Sequence, residues 1–230
     1  MYRVWQRLSA EFIGTFLFVF FAAGAACADQ MLRSASQAGI GILGIALVRG
    51  LAFAILVCAL SQVSGGHFNP AITLGAWVTR KINSLQAIFY GVVQVLAAMA
   101  ASWSLTRLIP EQIWRAASLG TPDLAANVSR TQGIMLELLL TFSLVFVFFA
   151  TVAEAKDSLS RFGGFAAGLV IFVGVVAVAP FTGASMNPAM ALGTAVASHH
   201  WSNHGVYWAG PMLGGVLGAW LYHVLFSHES

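Results

Sequence analysis

The chain has 230 residues, of which 59% are hydrophobic and only 8% charged, 11 basic against 8 acidic, and its mean hydropathy is +0.82. A soluble domain carries about 25% charged residues, so this is a membrane protein; six apolar spans of ~20 residues would leave no room for a separate soluble domain of ~100 residues. ATP-driven transport by this chain alone is thereby disfavoured, and a net charge of +3 scattered over short loops offers no basic tract to nucleic acid. Cys27 and Cys58 both lie in apolar runs, where a small buried residue is the plainer reading than a disulfide or a metal ligand.

Taken in chain order, the residues after Met1–Gln6 form an apolar run long enough to span, with no small-residue cleavage site, which predicts a retained first helix rather than a signal peptide. Spanning segments are predicted at about 8–28, 38–60, 84–105, 131–152, 162–179 and 206–226. Two further helix-like apolar stretches, 69–78 and 187–197, are too short to cross a hydrocarbon layer of ~30 Å. The longest loop, about 109–130, carries Pro110, Gly120 and Pro122 and reads as irregular.

An internal repeat accounts for the short stretches. Glu11, Thr15 and Phe16 are answered by Glu137, Thr141 and Phe142; Ser64-Gly65-Gly66-His67-Phe68-Asn69-Pro70-Ala71 is answered by Thr182-Gly183-Ala184-Ser185-Met186-Asn187-Pro188-Ala189. Each half, about 1–115 and 116–230 of one channel domain, holds three spans, an odd number, so the second must enter the membrane from the opposite side. With the amino terminus inside, Arg3, Arg7, Arg80, Lys81, Lys156 and Arg161 face the cytoplasm and Arg33, Arg107, Arg115 and Arg130 the outside, a slight bias of six to four.

Asparagine caps a helix and proline suits its first turn, so each Asn-Pro-Ala is a helix start in apolar sequence. Ten residues rise ~15 Å, so two half-helices entering from opposite faces meet amino end to amino end near the centre of a ~30 Å core. Each start carries about half a positive charge, which repels cations, and the amides of Asn69 and Asn187 offer donors there. Water fits such a place, because its oxygen accepts from both amides and the turned molecule interrupts a proton-conducting file. A lone Asn-Pro-Ala is an ordinary capped helix; two at equivalent places in inverted repeats are not.

On these motifs the sequence resembles the aquaporin family (major intrinsic proteins) over essentially the whole chain, and His67-Phe68-Asn69-Pro70-Ala71 after Ser64-Gly65-Gly66 is close to bacterial water channels. The resemblance implies an all-α membrane protein of six transmembrane helices and two re-entrant half-helices, a homotetramer in lipid with one pore per subunit. It implies no cofactor, no metal and no enzyme activity. It points to a bacterial inner membrane with both termini cytoplasmic, gives Glu11 and Glu137 the role of bracing the re-entrant loops, and puts His67 on the cytoplasmic pore wall; a catalytic carboxylate pair is the competing reading.

Four positions form the family's outer constriction, and here they fall on Arg49, Val175, Ala184 and Met190. The arginine usual after the second motif is Met190, while Arg49 appears across the pore. A lipid-facing arginine inside a span costs ~2.5–3.5 kcal/mol, which favours a water-filled cavity for Arg49; snorkelling or a subunit interface is the alternative. Val175 and Ala184 resemble the small residues of nodulin-like members that admit metalloid hydroxides. Ala191 and Ala195 depart from the glycerol-facilitator pattern, and Tyr207-Trp208 resembles the water-channel type. His199, His200 and His204 lack the spacing of a metal site and read as a solvated loop. A secondary transporter is the main rival, and uncoupled flux would separate a channel from it.

Overall fold

A computed structural model describes residues 2–154 and 162–227. In chain order the helices are α1 (Val4–Ser34), α2 (Gly41–Ser64), α3 (Pro70–Val78), α4 (Ser84–Leu108), α5 (Glu111–Ala116), α6 (Arg130–Phe148), α7 (Gly163–Thr182), α8 (Pro188–Ser198) and α9 (Val206–Phe226). Six of them, α1, α2, α4, α6, α7 and α9, are long and apolar enough to cross a membrane. At 1.5 Å per residue the nine residues of α3 and eleven of α8 reach only ~13 and ~16 Å, half a bilayer core each. The spans expected from hydropathy are thus present, with ends displaced by a few residues except at the start of α4 and at both ends of α9.

The ends follow local chemistry. Asn83 caps α4 by accepting from the Gln86 amide at 2.9 Å, and Ser129 with Gln132 forms a capping box on α6. At its inner end α6 widens into a π turn, Phe149–Ala153. The loop expected to be irregular holds α5 and a tight turn at Ser118–Gly120, its Pro110 sitting just before the helix. Arg3, Arg7, Arg80 and Lys81 lie at the end carrying the amino terminus, called inner below; Lys156 and Arg161, assigned to the same side, lie outside the described residues.

Packing explains how two helices that span nothing are held. α1 packs on α2 and α4, and α6 packs on α7 and α9. The halves then exchange their short helices: α3 lies against α9 and α8 against α4. Between the halves α2 crosses α7 at two glycines. A Cβ on Gly50 would stand 2.7 Å from the Gly168 carbonyl, and one on Gly168 would overlap the Gly50 carbonyl. Small residues allow backbones this close, which is how apolar helices gain contact when lipid is as apolar as their partner. The outer surface is lined with exposed Leu, Ile, Val, Phe and Trp, among them Leu47, Ile55, Leu96, Leu169 and Leu217.

Paired helix starts as the candidate pore

Asn69 is extended, as an N-cap must be, and its Oδ1 accepts from the Ala71 amide at 2.9 Å; Asn187 is likewise extended and accepts from Ala189 at 3.0 Å and Met190 at 3.3 Å. Pro70 and Pro188 occupy the first turns. The two starts are joined crosswise: Asn69 Nδ2 donates to the Met186 carbonyl at 2.7 Å and Asn187 Nδ2 donates to the Phe68 carbonyl at 2.9 Å. Each amide thus has a structural task beside the donor role expected of it. One hydrogen of each is spent on the opposite loop, since a buried carbonyl left unpaired is costly, and one remains.

The two glutamates, fully buried, hold the approach loops. Glu11 accepts from the Ser64 hydroxyl at 2.7 Å, the amides of His67 at 3.0 Å and Phe68 at 2.8 Å, and the Gln94 side chain at 2.8 Å. Glu137 accepts from the Thr182 hydroxyl at 2.7 Å and the amides of Ser185 at 3.0 Å and Met186 at 2.9 Å. A pair not anticipated from the sequence completes each cradle: the Tyr90 hydroxyl donates to the Ser64 carbonyl and the Tyr207 hydroxyl to the Thr182 carbonyl, both at 2.8 Å. The available signal was the tyrosine itself, which recurs 26 residues after Ser64 and 25 after Thr182. Gln94 has no counterpart on Glu137 among the described residues, and it too was missed.

At the outer side Arg49 is only 5% exposed, so it does not snorkel. Its Nη1 donates to the Gly183 carbonyl at 3.1 Å and one Nη2 to the Ala184 carbonyl at 2.9 Å, and the same Nη2 lies 3.5 Å from Met190 Sδ. Its Nε–H has no protein partner among the described residues. The arginine of α2 therefore meets both the approach loop of α8 and the residue after the second motif. Val175, buried on α7, belongs to the same packed cluster as Ala184 and Met190.

The inner side opens as a cavity of ≈ 530 Å³ lined by His67 together with Arg7, Ser64, Gly65, Lys81 and Phe148, among others. On the outer side the long loop is tied to the exit of α8. Asp123 accepts from His200 at 2.8 Å and Asn203 at 3.0 Å. Burial raises the Asp123 pKa, but the bonds from Asn203, His200 and the Leu124 amide outweigh it and hold the carboxyl below the usual range. The Trp208 indole donates to His204 Nε2 at 3.1 Å. The three histidines are thus placed individually: His200 on a carboxylate, His204 on an indole, and His199 in the left-handed conformation that ends α8.

Six spans, two half-helices joined start to start and a polar axis inside an apolar shell define a channel-like membrane protein. Residues 1–222 match the family model described as Major intrinsic protein, and the chain belongs to that family. It is 37% identical over 223 residues to Aquaporin TIP2-1 of Arabidopsis thaliana, covering 96% of this chain and 87% of that protein. It is 39% identical over 227 residues to Aquaporin TIP4-4 of Zea mays, covering 97% and 88%. The X-ray structure of the aquaglyceroporin from Plasmodium falciparum shares the fold with TM-score 0.83 at 21% identity, over 97% of each chain.

Proposed function

We propose that the protein is a passive channel for water, admitting small uncharged solutes and excluding ions and protons. The observation that carries this reading is the crosswise pair Asn69–Met186 and Asn187–Phe68, which holds two positive helix ends face to face in the interior. Cations are repelled there, and each amide keeps one N–H for a passing oxygen. In this reading Asn69, Pro70, Ala71, Asn187, Pro188 and Ala189 form the pore centre, Arg49, Val175, Ala184 and Met190 the outer constriction, His67 the inner wall, and Glu11 and Glu137 the braces. The relatives named aquaporins support water as the conducted species, and no chemical step is required of any residue.

The same reading takes the chain as one channel domain of two inverted repeats meeting near residue 115, inserted with both termini inside and assembled as a homotetramer in lipid. The expectation of a bacterial inner membrane rests on the likeness of 64–71 alone, whereas the relatives named above are plant proteins. Small side chains at Val175 and Ala184 favour a second substrate class, neutral polyols or metalloid hydroxides, beside water. Stopped-flow light scattering on proteoliposomes tests both. Water efflux much faster than in empty vesicles, with weak temperature dependence, is expected; equal rates overturn the water assignment, and glycerol or boric acid uptake equal to that of empty vesicles overturns the second class.

A further inference from the structure

The inner half of the molecule holds a polar chain that the outer half lacks. Gln94 Nε2 donates both to Glu11 Oε2 at 2.8 Å and to Thr73 Oγ1 at 2.9 Å, and Thr73 Oγ1 lies 3.1 Å from His67 Nδ1. At the repeat-related places of His67 and Thr73 stand Ser185 and Ala191, which form no such chain. Acceptor counting sets the direction of the bonds that Gln94 makes. Glu11 offers only acceptor oxygens to its four donors, so the Gln94 amide must present nitrogen to it, and the second hydrogen of that nitrogen falls on Thr73. Thr73 therefore already accepts one bond, and its own proton needs an acceptor because the residue is buried. Of the other threonines in helices or at their ends, Thr79, Thr151 and Thr194 return theirs to a carbonyl one turn back, while the buried hydroxyls of Thr15 and Thr141 have no partner among the described residues. Thr73 makes no such bond among the described residues; the acceptor within reach is His67 Nδ1.

We propose that Gln94 and Thr73 are positioning residues that fix His67 in the Nε2–H tautomer and so make its imidazole a standing hydrogen-bond donor at the inner mouth of the pore. The ring cannot turn away, being held edge-on between Tyr90 and Phe148 at centroid distances of 5.4 and 6.1 Å. Nε2 lies over Gly65, where an added Cβ would stand 3.0 Å from it; the bond recorded for the ring among the described residues is that of Nδ1, and the residue lines the inner cavity. A water entering from that cavity meets an N–H, as it meets the amides at the centre and Arg49 beyond, and turns its oxygen to the wall at each. The wall thus offers donors at three heights, and a solute must carry an acceptor oxygen to match them. The permeation role rests on the channel reading above; the tautomer does not.

The test is ¹⁵N solid-state NMR of histidine-labelled full-length protein in liposomes at about pH 8, where an ordinary imidazole is neutral, with His67 assigned by difference against His67→Phe. The unmodified protein is expected to show His67 with Nε2 protonated and Nδ1 bare, favoured about tenfold or more. Thr73→Val removes the donated proton at constant shape and should cut that preference several-fold and slow water flux per channel about threefold; Thr73→Ser should restore both. Gln94→Leu should also mix the tautomers, because Thr73 then accepts from Nδ1–H. A protonated Nδ1 in the unmodified protein, or an unchanged tautomer ratio in folded Thr73→Val, overturns the positioning. A switched tautomer with unchanged flux overturns the role in permeation. Absence of water flux in the unmodified protein overturns the channel reading alone, since the nitrogen signals report the positioning in either case.

Discussion

Asn69 and Asn187 each grip the residue that precedes the other: Asn69 donates to the carbonyl of Met186 at 2.7 Å, and Asn187 to that of Phe68 at 2.9 Å. Each also caps its own half-helix, so one side chain fixes two segments from different halves of the chain. Asn187→Ala removes a cap worth about 1 kcal/mol and leaves the buried Phe68 carbonyl unpaired at a further ~1–3 kcal/mol. Thermal unfolding in detergent should therefore show a clear loss of stability. Asn187→Asp keeps the cap oxygen but turns a second oxygen on the Phe68 carbonyl, and it should be at least as unstable. An Asp variant as stable as the parent would show that the cross-bond carries no weight.

The glutamates differ in their donors, four for Glu11 and three for Glu137. Replacing either by Gln turns an accepting oxygen into an NH2 facing donors, at a cost of ~1–3 kcal/mol for each group left without an acceptor. Both variants should lose folded protein, Glu11→Gln the more, as read by monodisperse yield on size exclusion. Full yield with full water flux for both would remove the bracing role.

Much of this was legible in the sequence because apolar length and the Asn-Pro-Ala caps are local signals: α9 has the predicted ends, and both half-helices begin at their prolines. Arg49 was legible through cost, since a charge inside a span must find polar company. Tyr90, Tyr207, Thr73 and Gln94 were not, because a hydroxyl or amide in an apolar helix shows its partner only when the fold brings a distant loop against it. Ser64 and Tyr90, for instance, are 26 residues apart and meet only when the loop before α3 turns into the bundle. The turn of helix at Glu111–Ala116 escaped for the opposite reason, as Pro110 and Gly120 advertise loops while a six-residue helix has too few positions for a periodic pattern.

His204 carries a pH prediction. Burial pushes its pKa below the ordinary 6.5, and its Nε2 accepts from the Trp208 indole, which requires that nitrogen to be bare. The folded state thus binds its proton later than the unfolded state as pH falls, so the contribution is fully present above 6.5 and is lost as pH drops through the folded value. The midpoint of thermal unfolding should fall on acidification below 6.5, and His204→Phe should flatten that part of the profile. An identical slope in parent and variant would assign the acid sensitivity elsewhere.

In the proposed channel reading, Arg49 supplies the full positive charge that Met190 lacks. Its two terminal nitrogens are anchored on the Gly183 and Ala184 carbonyls, which leaves the charge fixed in place, and its Nε–H has no protein partner among the described residues, so a donor remains for a passing oxygen. Arg49→Met keeps the chain length and removes both charge and donors. The helix-start field at the centre persists, so water flux should survive while proton leak rises from a few-fold to about tenfold, the scale of one partly screened charge. Glycerol uptake should broaden as well, because the constriction then consists of apolar side chains. Adding Met190→Arg to this variant returns a guanidinium to the facing wall and should bring the leak back down. Proton-driven pH change and glycerol uptake in matched proteoliposomes decide the matter. If Arg49→Met changes neither while the protein stays folded, Arg49 serves only to hold the loop before α8, and selection lies with the helix starts.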